Sequence, residues 1–393
     1  MNILFYLHGE CCPEVGGIER VTDVLSSYFR NNGHKCFLIY QEKADDGLRR
    51  TKFESSYYLP SNTISAISEI ISKNEIDILI NQEEHYVTSQ IYDAVKLSKR
   101  DCKIVFAYHT TPLEGAKAAV SFKRIFNSYK KLYRIHDVIK LLCYPIYRFW
   151  NINCVRKQYR ETLQKSDVNV MLSDCFIEPW YRAAKVKTNL RNKYAPVIAI
   201  NNPTSFDRCS KNDDVIKEKR VLILCRLYEP SKRVLKALKI WEELENDSRF
   251  DDWSLDIVGD GPDRKMYEEY ASKHLKRVTF YGRQKPESFY KRASIYLMTS
   301  DYEGGALTLI EAMQFGCVPV VFNSYESLND IMLPQLSECI VKKGDISAFL
   351  IKLKRFIKDD SHRLELSLRC IEQTERFSVE KIGRQWIELF NSL

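Results

Sequence analysis

The sequence predicts an α/β protein made of two doubly wound halves, each a parallel sheet layered with helices. Three observations carry that expectation. Short apolar runs rich in Val, Ile, Leu, Phe and Tyr alternate with longer, more polar stretches of helical period. The alternation is interrupted by a polar stretch after residue 202 and starts again at Arg220. At 393 residues, the chain is also longer than one hydrophobic core normally organises.

In the first half ILFYL, KCFLIY, IDILIN, KIVFAY and VNVML read as buried strands, and VIAIN closes the series. Residues 203–219, PTSFDRCSKNDDVIKEK, lack apolar periodicity and read as a linker. The second series is RVLILCR, WSLDIVG, RVTFYG, SIYLMTS and CVPVVF. The final FSVEKIGRQWIELFNSL reads as an amphipathic helix with Ile382, Trp386, Leu389 and Phe390 on one side. The expected division is therefore 1–203, 204–375 and a terminal helix, 376–393, packing back toward the first domain.

With 45% apolar and 28% charged residues, the composition excludes a disordered or fibrous chain. The start, MNILFYLHGE, lacks a basic leader and reads as a first buried strand. No segment reaches the roughly 18 uninterrupted apolar residues of a membrane span. Twelve cysteines without a C-x-x-C pair read as reduced thiols of a cytoplasmic protein and offer no zinc site.

Charge is concentrated in one place. Residues 121–160 hold ten basic residues against the single acid Asp137, whereas the whole chain carries a net +8. Phe122, Phe126, Tyr129, Tyr133, Tyr144, Tyr147, Phe149 and Trp150 are interleaved with those cations. Such a segment suits an anionic membrane surface, on the inner face of the cytoplasmic membrane. A solvated helix face over a buried aromatic stripe is the plainer alternative. No nucleic-acid module accompanies the segment, so nucleic acid is not an expected partner.

In open α/β sheets ligands sit beyond the carboxyl ends of the strands, and two such sheets make the cleft between them the natural site. Just after the strand SIYLMTS comes EGGALTLIE, residues 303–311. Gly304 and Gly305 stand at the start of a helix expected from about Ala306 to Phe315, where unpaired N–H groups and the dipole suit a phosphate. On one continuous helix Glu303 and Glu311 would lie ~12 Å apart, within a quadrant of one face. Flanking carboxylates repel a phosphate, so hydroxyl groups on either side of it are their expected partners, as a nucleotide sugar provides.

The stretch SDYEGGALTLIEAMQFGCVPVV resembles the E-x7-E region of retaining glycosyltransferases of family 4, which have the two-domain GT-B fold. The resemblance implies two Rossmann-like domains facing across a cleft. It assigns the donor sugar to Glu303 and the ribose to Glu311, with Gly304, Gly305, Ala306 and Leu307 among the donor-binding residues. In CRLYEPSKR it assigns Arg226 and Lys232 to the leaving nucleotide; the family usually has Gly where this chain has Arg233.

Further matches are GDGP, with Gly259 and Gly261, and GRQ, with Arg283, both near where the family holds the nucleoside. Gly16 and Gly17 fall in the loop the family places near the donor phosphate and the acceptor. His109, just after KIVFAY, matches a histidine that touches the donor sugar. NNPTS, residues 201–205, resembles the turn before the interdomain linker.

The implied activity is retaining transfer of a sugar from a nucleotide-diphosphate sugar, UDP foremost, to a hydroxyl of a glycan or lipid-linked glycan in cell-surface polysaccharide synthesis. The sequence contains no D-x-D triplet, so neither metal nor other cofactor is expected and cations with helix-terminal amides must neutralise the diphosphate. A nucleotide-sugar epimerase of the same fold and a non-catalytic nucleotide-sugar-binding protein are the competing readings.

Overall fold

The structure is a computed structural model that describes all residues except 62, 83–84, 123–124, 127, 129–134, 207–216 and 333. Much of the basic segment, including Tyr129 and Tyr133, and the middle of the expected linker therefore lie outside the described residues. The chain divides into two units, one formed by Met1–Pro203 with Ile382–Leu393 and the other by Thr204–Lys381.

The first unit holds a seven-stranded sheet of β1 (Asn2–Gly9), β2 (Lys35–Glu42), β3 (Ser55–Tyr58), β4 (Ile78–Gln82), β5 (Lys103–Tyr108), β6 (Val168–Met171) and β7 (Val197–Ala199). Its order is β3-β2-β1-β4-β5-β6-β7, and every pair is parallel. The central strands are mostly apolar because helices cover both faces; β4 is buried at every position, including Asn81 and Gln82 at its end. On one face Leu4, Tyr6, Phe37 and Ile39 share a core with Ile67, Ile71 and Ile91 of the helices Ile64–Lys73 and Thr88–Ser98.

On the other face Phe5 stacks on Phe29 of the helix Gly17–Asn31, with ring centroids 6.3 Å apart. The helix Val379–Ser392 lies against the same helix. Phe390 meets Phe29 at 5.4 Å, and Ile382, Trp386 and Phe390 are all buried.

The second unit repeats the plan with six strands: β8 (Glu218–Leu224), β9 (Ser254–Val258), β10 (Val278–Gly282), β11 (Ala293–Met298), β12 (Val318–Asn323) and β13 (Ile340–Lys342). They run parallel in the order β10-β9-β8-β11-β12-β13. Both sheets thus have the Rossmann arrangement, in which the chain winds outward one way from β1 or β8 and then the other way from β4 or β11. The crevices beyond β1/β4 and β8/β11 are the switch points where such sheets take ligands.

Eleven cysteines are described and all are free thiols; Cys209 lies outside the described residues. Among the described residues no helix is long and apolar enough to cross a membrane.

The Phe29–Phe390 contact should be a substantial part of what holds the terminal helix. Phe390→Ala is expected to lower the stability of the first unit by about 3 kcal/mol in urea denaturation, and a loss below about 0.5 kcal/mol, the scale of a surface substitution, would refute that packing.

Candidate functional site

At the switch point of the second sheet, two loops face each other. The first follows β8 and runs through Arg226 into the single-turn helix Glu229–Lys232; the second follows β11 and leads into the helix Leu307–Gln314. Backbone and side chains stitch them together. The Asp301 amide donates to the Ser231 carbonyl at 2.7 Å, and the Thr299 hydroxyl reaches the carbonyls of Lys232 and Arg233 at 3.1 and 3.0 Å.

Lys232 and Glu303 meet across these loops, Nζ to Oε1 at 2.6 Å, with their side chains only 21% and 12% exposed. Burial pulls the Lys232 ammonium down, yet the Glu303 carboxylate and its other neighbours outweigh burial and hold its pKa above the ordinary value. Arg226 is different. It is exposed, and among the described residues it has no ion pair; its guanidinium lies 5.8 Å from the centroid of the Tyr228 ring. A paired, half-buried cation thus lies a few residues from an uncommitted one.

Arg233, where a glycine was expected from the resemblance, occupies a left-handed conformation with φ 52° and ψ 38°. Glycine adopts that region freely, while a side chain costs ~1 kcal/mol. The chain keeps the bend and holds the arginine with charge. Arg233 Nε donates to Asp301, which is also approached by Lys236 Nζ at 3.3 Å and Lys343 Nζ at 3.7 Å. Burial would raise the Asp301 carboxyl, but hydrogen bonding and charge from Arg233, with Lys236 and Lys343, hold it below the ordinary value. Sequence reasoning missed Asp301; the doublet of Arg233 with Asp301, two residues before Glu303, was its only signal.

The GDGP turn packs against the Arg226 loop. A Cβ on Gly259, whose φ is 131°, would fall 1.9 Å from the Cys225 carbonyl oxygen, and one on Gly261 would fall 2.3 Å from that of Leu227. Leu227 and Asp260 are joined by a backbone hydrogen bond of 2.9 Å, and the Glu229 amide donates to Asp263 at 2.8 Å. These two glycines therefore allow the close approach that braces the backbone on either side of Arg226. Arg283, after β10, is exposed.

The helix Leu307–Gln314 begins one residue later than expected. Ala306 precedes it in a left-handed conformation with φ 37° and provides no side-chain cap, so the first helical N–H groups are not satisfied by an N-cap side chain. Gly304 and Gly305 are half-buried in the approach to it, and the Ser327 hydroxyl donates to the Gly304 carbonyl at 2.6 Å.

The two glutamates do not share a helix face, which corrects the expected geometry. Glu303 lies before the left-handed bend at Ala306, outside the helix. Glu311 is inside it and fully buried, accepting from the Tyr290 hydroxyl at 2.9 Å. Tyr296 stands between them. Its hydroxyl bonds the Leu224 carbonyl at 3.0 Å and the Thr308 hydroxyl at 2.9 Å, tying the end of β8 to the helix start. Burial first, then charge that includes both Glu303 and Glu311, pushes that hydroxyl well above its ordinary pKa.

In the first unit, Gly16 caps the helix Gly17–Asn31 in extended conformation without a side-chain cap, and Gly17 is exposed. His109 follows β5. Its Nε2 donates to Gln82 Oε1 at 2.5 Å, and Gln82, 2% exposed at the end of β4, donates in turn to Thr22 at 3.2 Å. No motif or spacing had singled out Gln82. Burial pushes the imidazole down to about 4, against which the Asn202 side chain acts upward. The ring is therefore neutral near pH 7, and Nδ1 is buried without a hydrogen-bond partner. Among the described residues, no group of three or more His, Cys, Asp and Glu is placed to hold a metal ion.

Residues 207–377, which span most of the second unit, match the family described as Glycosyl transferases group 1. The two parallel Rossmann-like sheets are those of the GT-B fold. HepE of Anabaena, solved in complex with UDP-glucose, superposes over 100% of both chains with a TM-score of 0.72 at 14% identity.

Among curated relatives, an uncharacterized glycosyltransferase of Haemophilus influenzae is 29% identical over 51% of this chain and 55% of its own. The lipopolysaccharide 1,6-galactosyltransferase of Escherichia coli K12 is 28% identical over 28% of this chain and 33% of its own. The chain thus spans about half the length, or less, of the curated relatives it matches.

Two outcomes test this geometry. Arg233→Gly should be more stable than Arg233→Ala by about 1 kcal/mol, the reverse of the order in a helix, because both lose the Asp301 pair and only glycine relieves the left-handed strain. Equal stabilities would deny the strain. The unfolded His109 imidazole titrates near 6.5 and the folded one near 4. Between those values the unfolded chain holds the extra proton, so stability is retained above 6.5 and lost as pH falls toward 4, by about 3 kcal/mol. Thermal unfolding of wild type against His109→Gln should reveal that component as missing in the variant; superimposable pH profiles would contradict it.

Proposed function

We propose that this protein is a retaining glycosyltransferase that moves a sugar from a nucleotide-diphosphate sugar, with UDP as the nucleotide, to a hydroxyl of a bacterial surface glycan or its lipid-linked precursor. The observation that carries the reading is the half-buried Lys232–Glu303 pair at the switch point of the unit that matches group 1, beside the exposed Arg226. A pair so far removed from water adds little to stability, since desolvation offsets most of its Coulomb gain. Its use lies elsewhere. The E. coli lipopolysaccharide galactosyltransferase and the UDP-glucose complex of HepE support the choice of acceptor class and nucleotide.

In this reading Arg226, Lys232 and the N–H groups leading into Leu307 neutralise the diphosphate as it leaves, without a metal ion or other cofactor. Arg283 and the GDGP turn adjoin the nucleoside. Glu303 holds sugar hydroxyls, and Glu311 meets the ribose once the Tyr290 contact gives way. His109 is neutral, and its buried Nδ1 can accept a hydrogen bond from a sugar hydroxyl once it is uncovered. The glycosidic bond to the β-phosphate oxygen breaks while the acceptor oxygen bonds to the same face of the sugar. The acceptor proton passes to the departing phosphate oxygen, so the protein supplies no nucleophile.

The test is transfer from labelled UDP-sugars to an extracted lipid-glycan fraction. Arg226→Ala should lower kcat about 10²-fold or more with the thermal midpoint little changed; Lys232→Ala and Glu303→Gln should lower kcat as much and also lower the thermal midpoint, since each leaves one charge of the pair without its partner, so their activity is measured below that midpoint. Full activity in any of them removes that residue from the site. A product that is an isomerised nucleotide sugar would replace transfer by epimerisation.

A further inference from the structure

The helix Tyr144–Lys165 is anchored at one end and bare at the other. Near its C-terminus Tyr159, Thr162 and Leu163 are buried, and Tyr159 stacks on Trp180 at 4.3 Å and hydrogen-bonds Tyr108 at 2.6 Å. Near its N-terminus Ile146, Phe149 and Trp150 are 72%, 70% and 64% exposed. The preceding helix, Ile135–Leu142, adds Ile139 and Leu142 at 58% and 79%. Ile139 and Leu142 are three apart, and Phe149 and Trp150 follow Ile146 by three and four residues, so each set lies on one face. Scattered exposed apolar side chains are ordinary, but five large ones within twelve residues mark an interaction surface.

The charge of residues 121–160 is nearly all positive, and the next acid, Glu161, is paired with Lys157 at 3.7 Å. Asp137, the single acid of residues 121–160, is turned inward at 3% exposure and held by Lys140 at 3.2 Å, His136 at 3.2 Å and Ser128 at 2.9 Å. Arg148 and Lys157 remain exposed. A second copy of the chain would bring the same positive charge onto this face, opposing pairing. Aliphatic side chains such as Ile139, Leu142 and Ile146 gain nothing from a nucleic-acid backbone.

We propose that the helices Ile135–Leu142 and Tyr144–Lys165 form a shallow membrane-insertion face, with Ile139, Leu142, Ile146, Phe149 and Trp150 entering the headgroup boundary of an anionic bilayer and the surrounding Lys and Arg meeting its phosphates. Neither helix crosses the bilayer, as both lack the necessary length of apolar sequence. The attachment is independent of the transfer chemistry proposed above.

The protein supplies its own probe. Of its five tryptophans, Trp180, Trp241, Trp253 and Trp386 are 0–4% exposed, so an emission shift on vesicle binding reports Trp150. Vesicles of phosphatidylcholine with about one-third phosphatidylglycerol should sediment the protein about tenfold more effectively than phosphatidylcholine alone, shift the emission to shorter wavelength, and lose the protein as salt is raised. The triple variant Leu142→Ser, Ile146→Ser, Phe149→Ser keeps the reporter and alters only exposed positions. It should retain the wild-type thermal midpoint and lose most of both signals.

Equal binding to neutral vesicles, an unshifted Trp150, or wild-type binding by the folded triple variant would overturn the proposal. So would a concentration-dependent dimer without lipid that the same substitutions abolish, which would assign the face to a second copy.

Discussion

The candidate site depends on one ion pair. Lys232 and Glu303 come from loops that follow two adjacent strands running outward from the switch point, and their contact at 2.6 Å spans the crevice between those loops. Around it are the Asp301–Ser231 and Thr299–Lys232 backbone bonds, the Arg233–Asp301 pair and the Tyr296 bridge. Removing either partner would leave a charge that is only 21% or 12% exposed without compensation, a far larger penalty than the pair's own net stabilisation. Buried charge of this kind is characteristic of sites that must bind charge.

The same crevice shows how sterics and electrostatics share the work. Gly259 and Gly261 let the GDGP turn touch the backbone on both sides of Arg226, so that loop is set by contact with its neighbour. Arg233 and Ala306 each take a left-handed conformation without being glycine. In Arg233 the strain is offset by Asp301. At Ala306 it directs the chain into a helix whose first N–H groups have no side-chain cap. Strain held at two turns of one crevice accords with a preorganised binding surface.

Most of the fold was legible in the sequence, because strands buried on both faces are nearly continuous apolar runs. The two strands that were not, β3 and β13, are four and three residues long, lie at sheet edges and carry polar or exposed positions, so their pattern is too weak to register. At the site, residue types and the family resemblance singled out Arg226, Lys232, Glu303 and the GDGP glycines, but not the contacts among them. What escaped were relations made by tertiary folding. Gln82 reaches His109 from another strand, Asp301 holds Arg233 across a loop, and Tyr290 occupies Glu311. The expectation that Glu303 and Glu311 share one helix face failed for a local reason, since the left-handed Ala306 separates them and no propensity argument places that conformation on alanine.

The most direct measurement is a crystal structure of the protein soaked with UDP. The account predicts the diphosphate beyond β8 and β11, with its oxygens within hydrogen-bond reach of Arg226, Lys232 and the amides leading into Leu307, and the Lys232–Glu303 contact lengthened or broken. A nucleotide bound elsewhere, or one bound there with the pair and Arg226 undisturbed, would contradict it.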